Sequence, residues 1–599
     1  MGFNEFFIPI LFFYVSLLNI LKGEIFYPMI FSQLKKNLKK DTSGFPVIKI
    51  AVLCDFASQF LVQALEGHGI GNGIRYEIFE ADYNQIDRQV MDPGSELYAF
   101  QPVFVLILRS TEKLLAGFYK TSPEDRSTFA QRHAEHTQLL YQTITDRLQC
   151  KVMTNTFPEI DDNIFGNFAT KLNVSFIYQV KSLNLRLMDL SHQIKGLFLV
   201  DFNSIMSRIG FRNTFDAKMY VNADMVFNLD ILPYLAGGIH DVIQAISGRF
   251  RKCLILDLDN TTWGGIIGDD GIEGIQVGDL GIGKAFTGLQ RWVKELKNRG
   301  IIIAVCSKNT ESVAKEPFEK HPDMVLRLDD IAIFVANWEN KVSNIEHIRN
   351  ILNISYDSMA FLDDNPFERE MVKKAIPDLT VPELPEDPAE YLPFLKELNL
   401  FETASYTEED RERTGQYQAE AKRAIVQQSF ANEDEFLETL QMRSEVRPFD
   451  PFTIPRIAQL SQRSNQFNLR TVRYTQDEIA KMAASPGHFT VSFTLEDSLG
   501  DNGLISTVIL EKRDYALFID TWIMSCRVLK RSMENFVLNT LVELAHENGF
   551  TKLIGEYIPT AKNGLVKDHY SGLGFSGDGQ VFYLDTAGFI DRKTFIKRK

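Results

Sequence analysis

Apolar runs that end in polar residues alternate with amphipathic helical stretches through the first 400 residues. Residues 47–54 form an almost continuous apolar run, which leads directly to Asp55 and then to a helical pattern up to residue 65. A similar run covers residues 100–110. Continuous apolar runs of this length are typical of strands buried on both faces, as in parallel sheets covered by helices. The pattern predicts a doubly wound α/β fold.

A second unit of the same kind begins near residue 250. Its predicted strands end in the stretches "LILDLDNTTWGG" (254–265), "AVCSKN" (304–309) and "FLDDNP" (361–366). Only a Gly-rich, hairpin-like segment (263–278) and one helix separate the first two strands, so no independent cap domain fits there. The proline-rich residues 376–393 indicate the exit from this domain.

The C-terminal third has a different pattern. Residues 406–428 read as a charged helical connector, and the apolar strands "HFTVSFTL", "GLISTVILEK" and "YALFIDTWIMS" then precede a long helix, 532–548, and the strand "KLIGEYI". Strands grouped before a helix predict an α+β domain. We therefore divide the chain into an apolar N-terminal extension (1–30), an α/β domain (31–245), a second α/β domain (246–400), a helical connector (401–430) and an α+β domain (431–599).

Charge and cysteine content narrow the range of functions. A net charge of −15 argues against a nucleic-acid-binding protein, which needs a basic surface to neutralise phosphates. The five cysteines include no CxxC pair, so we predict neither a zinc site nor a disulfide framework. Reduced thiols are typical of the cytoplasm, and we predict a cytoplasmic protein.

The apolar start of the chain leaves several interpretations open. Residues 6–21 form an apolar run that is shorter than the ~20 residues of a membrane span, and no clean cleavage site of a signal peptide follows it. The basic residues in 35–40 would suit a membrane-edge anchor with its positive side in the cytoplasm. A packed helix and a start codon placed too early are the alternatives.

Groups able to do chemistry follow the predicted strands of the second α/β domain. The strand ends and the loops between them carry Asp257, Asp259, Ser307, Lys341, Asp363 and Asp364. The carboxyl ends of parallel strands meet at one edge of a sheet, where open α/β sheets bind ligands. Carboxylates collected there would repel one another unless a cation neutralised them. Mg²⁺ suits this position because it favours hard oxygen ligands and commonly bridges carboxylates to a substrate phosphate.

This ordered set resembles the haloacid dehalogenase (HAD) superfamily, with D-x-D-x-T at 257–261 followed by a Ser, a Lys and an acidic pair. The resemblance implies that Asp257 is the nucleophile and Asp259 the general acid/base. It also implies that Ser307 and Lys341 bind phosphate and balance charge. A carboxylate nucleophile is apt here, because an aspartyl-phosphate splits one difficult displacement into two easier ones.

The same resemblance implies the metal ligands. Asp257 and Asp364, with the backbone carbonyl of Asp259, would bind Mg²⁺, and Asp363 completes the acidic pair. We also predict three substrate-binding residues next to these motifs: Thr261, Trp263 and Asn309.

Longer stretches narrow the resemblance to the FkbH-type proteins, from about residue 31 to the C-terminus: "KCLILDLDNTTWGGIIGDDG", "NWENK", "FLDDNPFERE", "DTWIMSCRVLKR" and "GEYIPTAKN". Proteins of this type resemble phosphatases but load a glyceryl unit from 1,3-bisphosphoglycerate onto an acyl carrier protein. The resemblance therefore implies a phosphorylated three-carbon substrate and a carrier partner large enough to close a site that lacks a cap. The alternative is a phosphomonoesterase in polysaccharide or secondary-metabolite biosynthesis, with the flanking domains as docking modules.

The family also implies a cysteine that carries the glyceryl group as a thioester. Cys306 is the candidate, because a nearby lysine and Mg²⁺ could favour its thiolate beside Ser307. The alternative is a small buried residue whose side chain points to the opposite face from Ser307. Cys526 is the lesser rival, and we predict that Cys253 belongs to the core.

The flanking domains resemble two other superfamilies. The stretch "AVLCDFASQ" stands where SGNH hydrolases carry their nucleophile, but Cys54 and Phe56 occupy the positions of the required Gly and Ser, so we predict a non-catalytic domain. The C-terminal domain resembles GNAT acyltransferases. Arg527 would begin its phosphate-binding loop at a helix start, although Lys530 and Ser532 replace the usual small residues. This resemblance implies phosphopantetheine or acyl-CoA as a ligand.

The predicted fold class is thus multidomain α/β. It comprises a doubly wound HAD-like core without a large cap, flanked by an SGNH-like α/β domain and a GNAT-like α+β domain.

Overall fold

The structure is a computed structural model that describes residues 30–599, except for residues 408, 409, 412, 428, 429, 431, 465, 526, 527, 530, 561, 562 and 578. The described residues up to Gln244 form one compact unit, and those from Ala245 to Lys599 belong to a second. In the described part of the chain, no helix is both long and apolar enough to cross a membrane. The predicted apolar run at 6–21 lies outside the described residues. The finer predicted domain boundaries stay predictions.

The described strands of the first unit form a five-stranded parallel sheet in the order β2-β1-β3-β4-β5. These strands are β1 (Val47–Cys54), β2 (Arg75–Glu80), β3 (Phe104–Leu108), β4 (Lys151–Asn155) and β5 (Leu197–Val200). The helices around them are α1 (Phe31–Asn37), α2 (Gln59–Gly71), α3 (Ile86–Met91), α4 (Glu96–Phe100), α5 (Thr111–Lys120), α6 (Phe129–Thr145), α7 (Phe176–Gln193), α8 (Phe202–Ile209), α9 (Ala217–Ala223) and α10 (Leu232–Ile246).

The apolar runs at residues 47–54 and 100–110 contain the strands β1 and β3 of this sheet. All of β3 and the last five residues of β1 are buried. Alternate residues of these strands, such as Leu53 and Ile107, join a core cluster with Leu140 of α6. Helices α1 and α2 pack so closely that a Cβ built on Gly67 would lie 2.4 Å from the backbone oxygen of Leu34. The predicted α/β architecture with a parallel sheet is confirmed for this unit.

A four-stranded parallel sheet, in the order β8-β7-β6-β9, opens the described part of the second unit. Its strands are β6 (Cys253–Leu256), β7 (Ile302–Ser307), β8 (Ile333–Ala336) and β9 (Met359–Leu362). The helices packed around it are α11 (Ile267–Gly274), α12 (Gly283–Asn298), α13 (Glu311–Lys320), α14 (Lys341–Leu352), α15 (Pro366–Ala375) and α16 (Tyr391–Glu397). β6 and β9 are fully buried, so the side chains that follow them are delivered to one protected edge.

The Gly-rich segment between β6 and β7 is helical and not a hairpin of two strands. Gly264 and Gln276 bond to each other in both directions, with N–O distances of 3.1 and 2.8 Å, and α11 lies between them. Gly271 interrupts this helix with a φ of +68°, a conformation that favours glycine. The segment is thus hairpin-like at its two ends and helical between them. The interval is nevertheless too short for a cap domain, as predicted.

The C-terminal part of the second unit contains a larger mixed sheet, in the order β16-β17-β15-β14-β13-β12-β10-β18 with β11 also paired to β12. Its strands are β10 (Arg443–Ser444), β11 (Val446–Arg447), β12 (His488–Asp497), β13 (Gly500–Arg513), β14 (Ala516–Met524), β15 (Lys552–Glu556), β16 (Ser576–Gly577), β17 (Val581–Asp585) and β18 (Lys597–Arg598). The helices are α17 (Arg413–Gln427), α18 (Glu433–Thr439), α19 (Ile454–Arg463), α20 (Gln476–Ala484), α21 (Met533–Glu547) and α22 (His569–Gly572).

The connector helix α17 bonds to both sheets of the second unit. On one side, Gln418 donates to the backbone oxygen of Ile331 beside β8 (2.9 Å). On the other side, the guanidinium of Arg423 makes two bonds, of 2.9 and 2.8 Å, to the carboxylate of Asp497 at the end of β12. Both side chains of this ion pair are buried, with exposed fractions of 3% and 0%. The connector is thus a structural part of the unit.

Candidate active site

Three carboxylates meet at the carboxyl edge of the four-stranded sheet. Oxygen atoms of Asp257, Asp363 and Asp364 all lie within 4.8 Å of one another. Asp257 follows β6, and the acidic pair follows the neighbouring strand β9, whose last residue accepts a hydrogen bond from the backbone N–H of Asp257 (2.9 Å). The register of two adjacent parallel strands therefore brings the predicted carboxylates together, as expected.

Lys341 is the cation of this cluster. Its Nζ lies 3.0 Å from Asp257 Oδ1 and 2.5 Å from Asp363 Oδ2, and its side chain is only 4% exposed. Burial disfavours the ammonium, but the two carboxylates raise the pKa of Lys341 overall. Burial raises the pKa of Asp257, Lys341 lowers it and Asp363 raises it again. The lysine thus compensates part of the buried negative charge.

The turn after β6 is fixed by its own side chains. Asn260 has a φ of +54°, and its side chain accepts a hydrogen bond from the backbone N–H of Gly265 (2.9 Å). Thr262 donates to the backbone oxygen of Asp257 (2.6 Å). These contacts end the strand sharply and turn Asp257 into the site.

Asp259 is held by three hydrogen-bond donors. Its Oδ1 accepts from the indole N–H of Trp263 (2.9 Å) and the backbone N–H of Ile267 (3.0 Å), and its Oδ2 accepts from the amide of Asn309 (3.0 Å). Trp263 is fully buried. Thr261, also fully buried, accepts from the backbone N–H of Asp364 (2.9 Å) and donates to its carboxylate (3.2 Å).

The three residues predicted to bind substrate therefore contact the acidic side chains of the site instead. Trp263 and Asn309 orient Asp259, and Thr261 orients Asp364. These contacts give all three residues a positioning role, and their predicted contact with the substrate stays a prediction.

Arg369 was missed in the sequence. Its guanidinium donates to the backbone oxygens of Asp363 (2.8 Å) and Asp364 (2.7 Å) and to the carboxylate of Glu383 (3.0 Å). It fixes the loop that carries the acidic pair. An arginine within the charged stretch "FERE" reads as solvent-facing, so no sequence signal marks this role. Nearby, Lys308 pairs with Glu368 at 2.6 Å.

Ser307 and Cys306 lie at the end of β7 and differ in their surroundings. Both are buried, and the backbone oxygen of Ser307 accepts from the N–H of Asn337 (3.2 Å) in the loop that leads to Lys341. The Cys306 side chain belongs to the apolar cluster that contains Cys253, and its thiol lies 3.9 Å from the backbone oxygen of Lys341. Burial raises the pKa of Cys306 to about 12. The geometry favours the alternative that Cys306 is a buried core residue. It also confirms that Cys253 belongs to the core.

The residues present fit Mg²⁺. Asp363 uses one oxygen for Lys341 and accepts the backbone N–H of Asn365 with the other (2.9 Å), whereas Asp257 and Asp364 each engage one carboxylate oxygen in the side-chain contacts described here. Hard oxygen ligands in a partly compensated acidic cluster suit this ion. Asp257 and Asp364 would hold it, beside Asp363. The backbone carbonyl of Asp259 as a ligand stays a prediction.

The candidates in the C-terminal domain are only partly described. Arg527, Cys526 and Lys530 lie outside the described residues. Strands β14 and β15 pair only as far as Phe518 and Ile554 and then diverge. The backbone N–H groups of Met524 and Ile558 beyond this point donate to residues of the segment 467–471, at 3.3 and 2.9 Å. The segment 467–471 thus lies beside both strands beyond their pairing, and phosphopantetheine or acyl-CoA as a ligand stays a prediction.

Comparisons with known proteins identify the family. The family model "FkbH, N-terminal domain" matches residues 49–244. The crystal structure of the N-terminal part of the protein BF1531 from Bacteroides fragilis, which contains a phosphatase domain and is complexed with Mg, is 51% identical to this chain. The similarity covers 100% of that structure and 63% of this chain, with a TM-score of 0.61. This chain belongs to the FkbH family. The family resemblance seen in the sequence is confirmed.

Two acetyltransferase structures show weak similarity to this FkbH-family chain. The ribosomal-protein-S18-alanine N-acetyltransferase from Escherichia coli is 14% identical, with a TM-score of 0.19 and coverage of 24% of this chain and 94% of its own. The spermidine N-acetyltransferase from Vibrio cholerae in complex with CoA and spermine is 14% identical, with a TM-score of 0.20 and coverage of 24% and 96%. Similarity at this level supports no inference. No curated protein matches the chain.

Proposed function

We propose that this FkbH-family protein is a Mg²⁺-dependent, HAD-type phosphatase that works through an aspartyl-phosphate on Asp257. The observation that carries the proposal is the meeting of Asp257, Asp363, Asp364 and Lys341 at one strand edge. The Mg-bound phosphatase domain of the Bacteroides fragilis relative supports it. When bound, Mg²⁺ would neutralise charge on the transferring phosphoryl group.

The protein's own groups account for both halves of the reaction. In the first half, an oxygen of Asp257 attacks phosphorus, the bond from phosphorus to the leaving oxygen breaks as the new P–O bond forms, and Asp259 donates a proton to that oxygen. In the second half, water attacks the same phosphorus, the bond to Asp257 breaks, and Asp259 accepts the proton of the water. Lys341 stays next to Asp257 throughout and opposes its negative charge.

We further propose the finer activity of the family for this chain, which is glyceryl transfer from 1,3-bisphosphoglycerate to the thiol of an acyl carrier protein. The carrier thiolate attacks the C1 acyl carbon, the C–S bond forms as the bond from that carbon to the phosphate oxygen breaks, and inorganic phosphate leaves. Asp257 removes the phosphate at C3 by the two steps above. Family membership supports this proposal, and so does the short interval between β6 and β7, which leaves the site open to a large partner.

The burial of Cys306 favours direct transfer to the carrier thiol over a thioester on the enzyme. A thiol whose pKa is raised to about 12 is almost entirely protonated near neutral pH, and the thiolate is the attacking form. Transfer through Cys306 would first require this side chain to leave the apolar cluster around Cys253.

Intact-mass analysis tests these proposals. The protein is incubated with Mg²⁺ and 1,3-bisphosphoglycerate, with and without a carrier protein, and the wild type is compared with Asp257→Asn and Cys306→Ala. We expect phosphate release that needs Asp257, and a glyceryl adduct on the carrier that survives the Cys306 substitution. Phosphate release by the Asp257 variant at the wild-type rate would contradict the phosphatase mechanism. A glyceryl adduct on the enzyme that disappears with Cys306→Ala would contradict direct transfer.

A further inference from the structure

A second polar crevice lies in the first unit, where the strand order of the sheet reverses. In the order β2-β1-β3-β4-β5, the connections after β1 and β3 run in opposite directions. The carboxyl ends of β1 and β3 therefore bound a crevice of the kind in which open α/β sheets bind ligands. Asp55 directly follows β1, and Arg109 directly follows β3. The phosphatase mechanism uses neither residue.

Hydrogen bonds between strand ends hold this crevice in a fixed geometry. Asp55 Oδ1 accepts the backbone N–H of Ser110 at 2.8 Å. Asn155, fully buried at the end of β4, accepts the backbone N–H of Arg109 at 2.9 Å and donates to its backbone oxygen at 3.0 Å. Contacts within the protein thus hold the side chains at three neighbouring strand ends in place without a bound ligand.

Arg109 is a half-buried cation whose side-chain hydrogen bonds go to groups other than carboxylates. Its guanidinium donates to Thr137 Oγ1 (3.4 Å) and lies 3.2 Å from Nδ1 of His136, whose Nε2 is 2.9 Å from Asp87. Among the residues that the structure describes, no carboxylate forms an ion pair with Arg109. Asp55 and Asp87 attract this charge without forming an ion pair with it, and a guanidinium prefers both oxygens of a carboxylate at hydrogen-bond distance.

Glu112 is the complementary group. It lies in the first turn of α5, and within the described chain it forms no ion pair. The nearby Lys113 is already engaged, because its Nζ is 2.7 Å from Asp224 and 5.2 and 5.8 Å from the ring centres of Tyr83 and Tyr220. Burial, and the negative charge of Asp55, raise the pKa of Glu112 to about 7. The carboxyl of Glu112 and the guanidinium of Arg109 thus both lie near enough to Asp55 to interact with its charge, and they do not pair with each other.

We propose that this crevice binds a small carboxylic acid with a hydroxyl or amino group on the neighbouring carbon. The carboxylate would accept from Arg109, and the hydroxyl or amino hydrogens would be donated to Asp55 and Glu112. A simple anion would be repelled by the two acidic side chains, and a simple cation by Arg109. A ligand that carries both groups satisfies all three residues, and a phosphate dianion suits them less well because its charge is larger.

Binding to the full chain tests the proposal, with isothermal titration calorimetry as the readout. The probes are glycerate and serine, which carry both groups, and propionate and glycerol, which carry only one. The variants are Arg109→Gln and Glu112→Gln, with Glu124→Gln in the exposed turn before α6 as the matched control. Serine and glycerate distinguish an amino from a hydroxy acid as the natural ligand class.

We expect glycerate or serine to bind at least about ten-fold more tightly than propionate and glycerol. This preference should be lost in both crevice variants and kept in the control. If Arg109→Gln fails to fold, Glu112→Gln alone decides the matter, because it removes a charge without changing the shape. The proposal is overturned if neither glycerate nor serine binds better than the one-group probes, or if the crevice variants bind them as the wild type does.

Discussion

Replacing Lys341 by methionine should destabilise the second unit by about 3–5 kcal/mol in the absence of metal, the cost typical of removing one partner from a buried ion pair. The substitution keeps the length of the side chain and removes its charge. At an effective dielectric constant of about 20, unit charges about 3 Å apart attract by about 5 kcal/mol, and Lys341 has two such partners, at 3.0 and 2.5 Å. The cost of burying the ammonium, which the variant avoids, offsets part of this attraction.

The assay is denaturant-induced unfolding followed by tryptophan fluorescence, with EDTA present and then with Mg²⁺. Lys320→Met is the control, because Lys320 forms an exposed pair with Glu316 at 3.1 Å and should cost less than about 0.5 kcal/mol. The cation that Lys341 supplies can be replaced by a metal between the carboxylates. We therefore expect Mg²⁺ to recover more stability in Lys341→Met than in the wild type.

The loss should also depend on pH. The pKa of Asp257 is already raised in the folded protein, so the folded chain binds more protons than the unfolded chain, and its stability falls as the pH rises. Removing Lys341 strengthens this effect, and the deficit should be larger at about pH 8 than at about pH 6. A deficit below about 1 kcal/mol with EDTA at the higher pH would refute the view that Lys341 compensates these carboxylates.

Three further predictions concern other parts of the chain. Trp263→Phe removes one of the three hydrogen-bond donors to Asp259. The kcat for phosphate release should fall about 10- to 100-fold, the loss expected for a hydrogen bond to a charged group, with little change in KM. An unchanged kcat would contradict a positioning role. Glu112→Gln should flatten the decline in stability of the first unit between pH 4.5 and about 7, because burial raises the folded-state pKa of this group across that range; thermal unfolding measured across this pH range checks it. Gly67→Ala places a Cβ within 2.4 Å of a backbone oxygen of α1 and should lower the free energy of unfolding by about 1–3 kcal/mol. Gly117→Ala in α5 meets nothing within 4 Å and should raise the free energy of unfolding by up to about 1 kcal/mol. Urea unfolding compares the two variants, and equal effects would show that α1 moves away freely.

The carboxylates of the active site could be predicted from the sequence because strand geometry alone brings them together. Asp257 and the pair Asp363–Asp364 each follow a short buried apolar run, and the carboxyl ends of adjacent parallel strands share an edge. The prediction needed only the strand positions and the parallel order. The family resemblance then supplied their roles.

The supporting residues could not be predicted, because their partners depend on tertiary contacts. Trp263 reads equally well as a substrate contact and as a core residue until the loop between β6 and α11 is folded. Arg369 lies in a charged helix, and nothing in its neighbours indicates that it bonds to backbone oxygens of the acidic loop. The side chain of Cys306 could not be placed for a different reason. Successive residues of a strand point to opposite faces, so a shift of one residue moves this side chain from the active site to the apolar cluster on the other face.

The connector helix α17 bears on how this protein can be recombined with its relatives. Because Arg423 and Glu420 of α17 form a buried network of ion pairs with Asp497 and Arg531 of the C-terminal part, a chimera that joins a foreign C-terminal domain after residue 430 would divide this network. A junction before α17 would keep the network but lose the bond from Gln418 to the backbone beside β8. A domain exchange that keeps both sets of contacts must therefore move the residues before α17, α17 itself and the C-terminal sheet together.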